Sequence, residues 1–428
     1  MYVTRTRSGT RKSSDGFPQV PEVLRLPLPE NLEVLNDDLD LQELIELVYQ
    51  RNPSLQAMYS AWEAAAARYP QEVSLDDPMF DVMLAPASFS SGSNVPESWS
   101  MEASQKLPWF GKRDFRGRVA SANASVAALD ADDTRLQLAL ATRLAYADFV
   151  LATQTLELNA TEKNLLEEIR SVAQVKYETN QAPQQDVLQA NVEHADARRR
   201  RIELTRQQRL AKARINTLLH RTPLAPLPNP REFDLSAMTI ADNDQLLDMA
   251  IQVRPDLAAQ ASRIAAEQAA YCLAVKEFYP DVELYGRHDR FWLDSEQQNS
   301  IGIKLNLPVQ RRRRSAAIDE AQARLSKAQA EYQARIAQIR LEVTTAYQRL
   351  IEARESERLY RDEIIKVAEQ NVASARAGYE AGSISFLTLV AAQRQLLDFR
   401  QKQAEASAEY QRQLAELERA VGAPLEEA

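Results

Sequence analysis

From about Ala316 to Val421 the sequence is patterned as a helical hairpin too long for any globular domain. In its rising arm, apolar residues stand at Ile318, Ala321, Leu325, Ala328, Tyr332, Ile336, Ile339, Val343, Tyr347 and Leu350. Steps of three and four are the seam of an α-helix packed along a partner helix. The arm holds roughly 65 residues, so at 1.5 Å each it is a rod of about 100 Å. It ends in Tyr379-Glu380-Ala381-Gly382-Ser383-Ile384-Ser385-Phe386. Gly382 suits the left-handed conformation that closes a helix, and Ser383 or Ser385 can cap the next one. The falling arm runs from about Leu387 to Val421 and stops at Gly422 and Pro424.

The chain contains this plan twice. Tyr177-Glu178-Thr179-Asn180, with Asp186-Val187-Leu188 after it, repeats the Tyr379 turn, and Asn180 stands where Gly382 stands, 202 residues on. Asn is the next best residue for a left-handed cap. Pro53 and Pro255, Pro78 and Pro280, Leu107-Pro108 and Leu307-Pro308, Tyr146 and Tyr347, and Pro223 and Pro424 all fall within two residues of the same shift. So many pairs in order indicate a tandem duplication. The expected organisation is an extended, Pro-rich arm over 1–40, a first repeat over 41–223 and a Pro-rich linker over 224–243. A second repeat then covers 244–425, with a tail over 426–428. Each repeat holds helices, a β-hairpin (about 80–107 and 281–308) and a long helical hairpin (about 114–219 and 316–421).

The strands show as a change of period. Trp99, Met101, Ala103 and Leu107 face one way, and Ser98, Ser100, Glu102, Ser104 and Lys106 the other. Phe80 to Leu84 is a shorter strand before it. In the second repeat Ile301, Ile303, Leu305 and Leu307 alternate with Ser300, Gly302, Lys304 and Asn306, and Val282 and Leu284 flank polar Glu283. Four strands in two distant hairpins cannot close a barrel within one chain, and an open sheet leaves its edges unpaired. The sheet must therefore pack on helices or be completed by strands of other copies. Before each hairpin comes a shorter helix, as over Leu41 to Arg51 and Ser54 to Val73, and after it one long and one returning helix. Two stacked shorter helices beside one long helix make a wall of even height, the shape of a tube segment.

Composition narrows the function. A net charge of −9 argues against a nucleic-acid partner. His194, His220 and His288 are far apart and lack metal-ligand spacing, and no nucleophile elbow, P-loop or dinucleotide fingerprint occurs. No catalytic residue, metal site or cofactor is expected. The single cysteine, Cys272, lies in a helical pattern and reads as a small buried side chain. No apolar run approaches the ~18–20 residues of a spanning helix, and the first forty residues lack the apolar core of a signal peptide.

At Gln105-Lys106-Leu107-Pro108-Trp109-Phe110-Gly111-Lys112-Arg113 a strand hands over to a long helix. With that segment go Tyr379-x-x-Gly382, Phe386-Leu387-x-Leu389-x-x-Ala392-Gln393, and the weaker first copy over Tyr177 to Gln189. In these motifs and in its two-repeat plan, over roughly Leu41 to Leu425, the chain resembles the TolC family of outer-membrane efflux channels. The Leu-Pro-Trp-Phe-Gly-Lys-Arg segment is most similar to its heavy-metal (cation) branch. The resemblance implies a mainly α fold: an α-barrel of long helical hairpins in the periplasm, and four strands per chain in a β-barrel closed by a homotrimer. It implies a passive exit duct in the bacterial outer membrane, exporting drugs or metals. Its partners would be a periplasmic adaptor, an inner-membrane pump such as an RND transporter, and outer-membrane lipid. Family members carry a signal peptide, and many a lipidated cysteine; neither shows in this chain. A soluble coiled-coil scaffold is the alternative, and it predicts a polar exterior all round the strands.

Carried over by motif, the resemblance puts Tyr177, Asn180, Gln185, Asp186, Tyr379, Glu380, Gly382 and Ser383 at the periplasmic entrance, in reach of an adaptor. The two turns need not be shaped alike, since Asn180 and Pro183 stand where Gly382 and Ser385 do. The lipid-facing positions are Trp99, Met101, Ile301, Ile303 and Leu305. Leu107, Pro108, Trp109, Gly111, Lys112, Arg113, Pro308, Arg311 and Arg312 form the junction of barrel and helix. The cations there open helices, where the macrodipole disfavours them, so an anion such as a lipid phosphate is expected opposite. A second basic cluster, Arg198 to Arg201, reads as a solvated face paired with Glu193 and Asp196. No acid lies between Ala381 and Leu397, so no strong acidic ring is expected on the second turn.

Overall fold

The computed structural model describes residues 38–90, 96–233, 241–292 and 294–425, so most of the N-terminal arm and the tail lie outside the described residues. The first repeat contains α1 (Leu41–Arg51), α2 (Pro53–Ala66), α3 (Arg68–Val73), strands β2 (Met79–Leu84) and β3 (Trp99–Leu107), α4 (Lys112–Glu178) and α5 (Gln184–Leu218). The second contains α6 (Asn243–Val253), α7 (Pro255–Lys276), β5 (Val282–Asp289) and β6 (Asn299–Leu305). It continues with α8 (Arg311–Leu359), a π-turn (Tyr360–Ile364), α9 (Ile365–Glu380) and α10 (Phe386–Val421). Two short strands, β1 (Asp38–Leu39) and β4 (Asn229–Pro230), pair in parallel.

Asp40 caps α1, accepting from the Gln42 and Glu43 amides, and Asn52 caps α2, accepting from Ser54 N–H at 2.9 Å. With Pro53 at the first helical position, this is the break expected after Arg51. The helix expected over Ser54 to Val73 is divided at Ala67. Helix α4 has 67 residues, about 100 Å of unbroken rod. Its partner arm is interrupted. Buried positions step regularly through Ile339, Val343, Ala346, Leu350, Ala353 and Glu357, then resume at Ile365, Ala368, Ala375 and Tyr379. The seam resumes one residue late, and the wider π-turn absorbs that residue, so the rod keeps its apolar face on α10.

The shorter helices stack in pairs beside the long ones. Helices α2 and α5 lie end to end along α4, and α7 and α10 lie end to end between α4 and the α8–α9 rod. At the first joint, Asn52 Nδ2 donates to the Leu218 carbonyl at 3.2 Å. At the second, Arg254 Nη1 donates to the Ala420 carbonyl at 2.8 Å. Donor and acceptor are both shifted by 202 residues, so the duplication reaches individual hydrogen bonds. Beside these joints, His220 (φ +54°) and Gly422 (φ +91°) hold equivalent left-handed positions. Apolar clusters lie behind them, Leu246, Leu257, Ile339, Val343, Leu414 and Leu417 in one repeat and Leu44, Val48, Tyr146, Phe149 and Ile215 in the other.

The β1–β4 ribbon was not foreseen. Tyr146 Oη lies 2.8 Å from the Leu39 carbonyl and 2.9 Å from that of Arg231, tying both short strands to α4, and burial pushes the phenol up to about 12. Cys272, expected to be buried, is half-buried on α7.

Around the second joint Arg254 is buried and pairs with Asp256 and Glu342, while Arg335 also reaches Asp256. Burial alone would raise the Asp256 carboxyl, but hydrogen bonds from Arg254 and Arg335 overturn that and hold it at about 2. Because that lies below the value of an unfolded Asp, ~3.9, the contribution is complete above about pH 4 and is lost as pH falls toward 2. Asp256→Asn, which leaves Arg254 and Arg335 to share Glu342 as their one carboxylate, is expected to cost about 1–3 kcal/mol in urea unfolding at neutral pH. It should also flatten the acid limb of stability between about pH 4 and 2.

Candidate functional site

The sheet runs β2-β3-β5-β6, antiparallel throughout. Register places Val82 beside Met101, Phe80 beside Ala103, Leu84 beside Trp99, Leu284 beside Ile303 and Val282 beside Leu305. These side chains share one face, since pairing partners point the same way. The other face collects Asp81, Ser100, Glu102, Ser104, Lys106, Glu283, Tyr285, Arg287, Asp289 and Lys304. Lys304 pairs there with Glu102 and with Glu283 (3.3 Å), and Arg287 with Asp289 (3.3 Å). Among the described residues no helix covers the apolar face: Ile301 is 93% and Phe80 80% exposed, with Val82, Leu84, Met101, Ile303 and Leu305 exposed too. Trp99, also expected on that face, is half-buried and lies 5.1 Å from the His288 ring.

The junction corrects one expectation. Lys112 does not face outward; it is 1% exposed. Its Nζ lies 2.8 Å from Asp281 Oδ1 and 3.5 Å from Glu277, and donates to the Tyr279 carbonyl at 3.0 Å. Trp109 stacks on Tyr279 (5.6 Å, 10°), and its amide donates to Asp281 at 3.0 Å. The anion expected opposite this helix start is thus a protein carboxylate from the second repeat. Burial would raise the Asp281 carboxyl, but Lys112 and the Trp109 amide hold it below its ordinary value. Gly111 precedes α4 at φ +85°. Arg113 donates to the Val73 carbonyl at 2.8 Å, and Arg314 to that of Glu277 at 2.6 Å. Arg311, Arg312 and Arg313 are exposed and make no ion pair among the described residues. Leu107 and Pro108 close β3 half-buried, while Leu307 beside Pro308 is exposed.

At the far end the two turns have the same backbone shape, despite Asn180 and Pro183. Asn180 (φ +57°) and Gly382 (φ +71°) are left-handed. The Gln181 amide bonds the Lys176 carbonyl at 2.7 Å, and the Ser383 amide bonds the Gly378 carbonyl at 2.9 Å. Ser385 rather than Ser383 caps the next helix, accepting from Thr388 N–H, and Ser383 Oγ donates back to Gly378 O. The tyrosines differ. Tyr177 is exposed, whereas Tyr379 is buried against Phe386, Ala173, Ala190 and Leu389. Tyr379, expected at the entrance, is thus packed inside the tip of this chain. Lys176 binds it from the first repeat, Nζ donating to its carbonyl at 2.7 Å and sitting 4.0 Å over its ring. Burial pushes the Asp186 carboxyl up against the pull of Lys176, and burial with the Asp186 charge raises Tyr379. Asn180, Gln185, Glu380, Gly382 and Ser383 are exposed.

Residues 246–423 match the family model described as outer membrane efflux protein. The second repeat thus carries an outer membrane efflux protein domain. The first repeat lies outside the match but carries the same elements in the same order. No curated protein matches the chain by sequence. Among solved structures the chain is similar to CusC, described for changes accompanying folding and transmembrane channel formation (TM-score 0.77, 16% identity, 94% of this chain and 97% of that one). It is similar to VceC of Vibrio cholerae, an outer membrane protein (0.71, 20%, 90% and 97%). The open-state MtrE outer membrane channel of Neisseria gonorrhoeae also has this fold (0.72, 18%, 90% and 89%). The TolC-type resemblance therefore holds for the fold along most of the chain, and the second repeat also matches the efflux-protein model.

Two site residues escaped the sequence reading. Glu193 does not pair with Arg198 to Arg201; it is bound by Arg394 of α10, at 2.5 and 2.9 Å. The two residues carry opposite charge and, under the 202-residue shift of the return helices, lie within one position of each other. That was the available signal. The cluster instead uses Asp196, bound by Arg199 and Arg200, with Arg200 also near Glu162. The Glu193 side chain is 5% exposed, that of Arg394 55%. Arg394→Ala is expected to destabilise the tip by about 1–3 kcal/mol, since it strands a buried carboxylate. Glu193→Gln in the same background should recover part of that loss. Hydrogen exchange over 184–194 and 386–396 checks both.

Proposed function

We propose that three copies of this chain form an exit duct through the bacterial outer membrane, with twelve strands closing a β-barrel and the helices continuing it as a periplasmic tube. The observation that carries this reading is the sheet. Its apolar face is bare in the single chain, its polar face is laced by ion pairs, and its two edge strands, β2 and β6, have free outer edges. A spanning barrel needs an apolar exterior, a polar lumen and no open edge. Along the meander β2 and β6 run in opposite directions, so the edge of one copy pairs antiparallel with that of the next, as a closed barrel requires. A soluble scaffold is not supported, because it requires a polar exterior on both faces.

An efflux-protein domain over the second repeat implies work with pump components. We assign the energy-consuming step to an inner-membrane pump such as an RND transporter, and the coupling to a periplasmic adaptor at the hairpin tips. There Tyr177, Asn180, Gln185, Asp186, Glu380, Gly382 and Ser383 remain accessible. The duct itself is passive. Its lumen carries carboxylates, lysine and arginine at the sheet, which suits polar and charged solutes. The test uses the full-length protein. Light scattering is expected to give a detergent-dependent trimer, and planar bilayers an ion conductance. A detergent-free monomer or dimer without conductance would overturn the duct.

A further inference from the structure

The junction of sheet and helix is closed in one repeat and open in the other. In the first repeat Lys112 opens α4 and crosses to the loop before β5, where Asp281 and Glu277 receive it. In the second repeat the residue 201 positions on is Arg313, one place before Arg314. Arg314 already repeats the contact of Arg113, each giving its guanidinium to a carbonyl at the end of the preceding helix. So Arg313 is placed as Lys112 is, but the loop it should cross to is not in its own chain. Beyond β6 the next strand around a closed barrel is β2 of another copy. The loop before β2 is Leu75-Asp76-Asp77-Pro78, whose Pro78 matches the Pro280 that precedes Asp281.

We propose that Arg313, flanked by Arg311 and Arg312, forms an ion-pair latch with Asp76 and Asp77 of the neighbouring copy. The latch makes between chains the junction that Lys112 makes within one. It rests on the trimeric duct proposed above. The charges fit: three exposed arginines end one edge of the sheet, and two exposed aspartates begin the other. Both lie at the helical end of the strands, since β6 runs into α8 and β2 emerges from α3. Asp76 has a weak partner within its own chain, Lys106 at 3.9 Å, and Asp77 makes no ion pair among the described residues. Closing β6 on β2 brings the two sets together with opposite sign. A lipid phosphate could also meet exposed arginines, but the first repeat answers its own cation with protein carboxylates.

The test is disulfide trapping in the full-length protein purified in detergent, in a Cys272→Ser background. Arg313→Cys combined with Asp77→Cys is expected to give cross-linked dimers and trimers on oxidation, and neither single variant should. Independently, Arg312→Glu with Arg313→Glu should make the trimer dissociate on dilution where the parent stays intact. Asp76→Lys with Asp77→Lys in the same chain should restore it. A parent trimer that neither cross-links nor responds to charge reversal overturns the latch and leaves the duct standing. Charge reversal that lowers only binding to phosphatidylglycerol vesicles, again without cross-linking, assigns the arginines to lipid and also overturns it. A parent that forms no trimer overturns the duct and the latch together.

Discussion

A continuous helix of about 100 Å needs a neighbour of equal height, and this chain supplies it in two pieces. Everything else depends on how those pieces are joined. Where one helix ends on the next, four carbonyls and four amides lose their intrahelical partners. Asn52 resolves this in the first repeat by capping α2 with its side-chain oxygen while its amide nitrogen serves the Leu218 carbonyl. Arg254 has more donors, serving the Ala420 carbonyl, Asp256 and Glu342 from one buried guanidinium. The left-handed residue beside each joint turns the chain away, so that the stacked helix can be approached without a clash. At Gly422 an added Cβ would sit 2.9 Å from Arg254 Cγ.

With the column fixed, the strands are fixed too. Each long helix delivers its hairpin at the same height, because α3 and α7 end, and α4 and α8 begin, beside one another. The four strands meet in one sheet only because β3 of the first repeat finds β5 of the second, over eight paired positions from Ser100 to Leu107. That pairing carries the polar ladder across the repeat boundary, where Lys304 of β6 reaches Glu102 of β3 across the intervening β5. The sheet is thus one surface with two characters rather than two hairpins side by side. Its two remaining edges leave a row of backbone hydrogen-bonding groups open in a single chain.

Much of this was legible in the sequence because it rests on period and repetition. Heptads gave the rods, alternation the strands, and a shift near 202 the pairing of turns; Asn180 could be read as a left-handed cap because only a few residues adopt that conformation at low cost. Contacts between repeats were not legible. Lys112 reads as an exposed cation beside a membrane until Asp281, Glu277 and the Tyr279 carbonyl are brought round it by the fold. Glu193 reads as a partner for the arginines five to eight residues on, which a helix permits in part, yet its real partner is Arg394 in the other repeat. The π-turn at Tyr360–Ile364 was also missed, since one extra residue in a seam of small and polar positions leaves little trace in hydropathy.

The most instructive differences lie where the repeats have parted. A perfect duplication would give identical turns, yet Tyr379 is buried and Tyr177 is exposed at equivalent positions, on backbones of the same shape. The difference arises because the two hairpins pack on each other asymmetrically: Lys176 of the first covers the ring and carbonyl of Tyr379 in the second, and no cation does the same for Tyr177 among the described residues. The cross-repeat pairs, Lys176 with Tyr379, Glu193 with Arg394 and Lys112 with Asp281, each place complementary groups on the two halves. A pair of repeats can be joined this way only if each half has specialised.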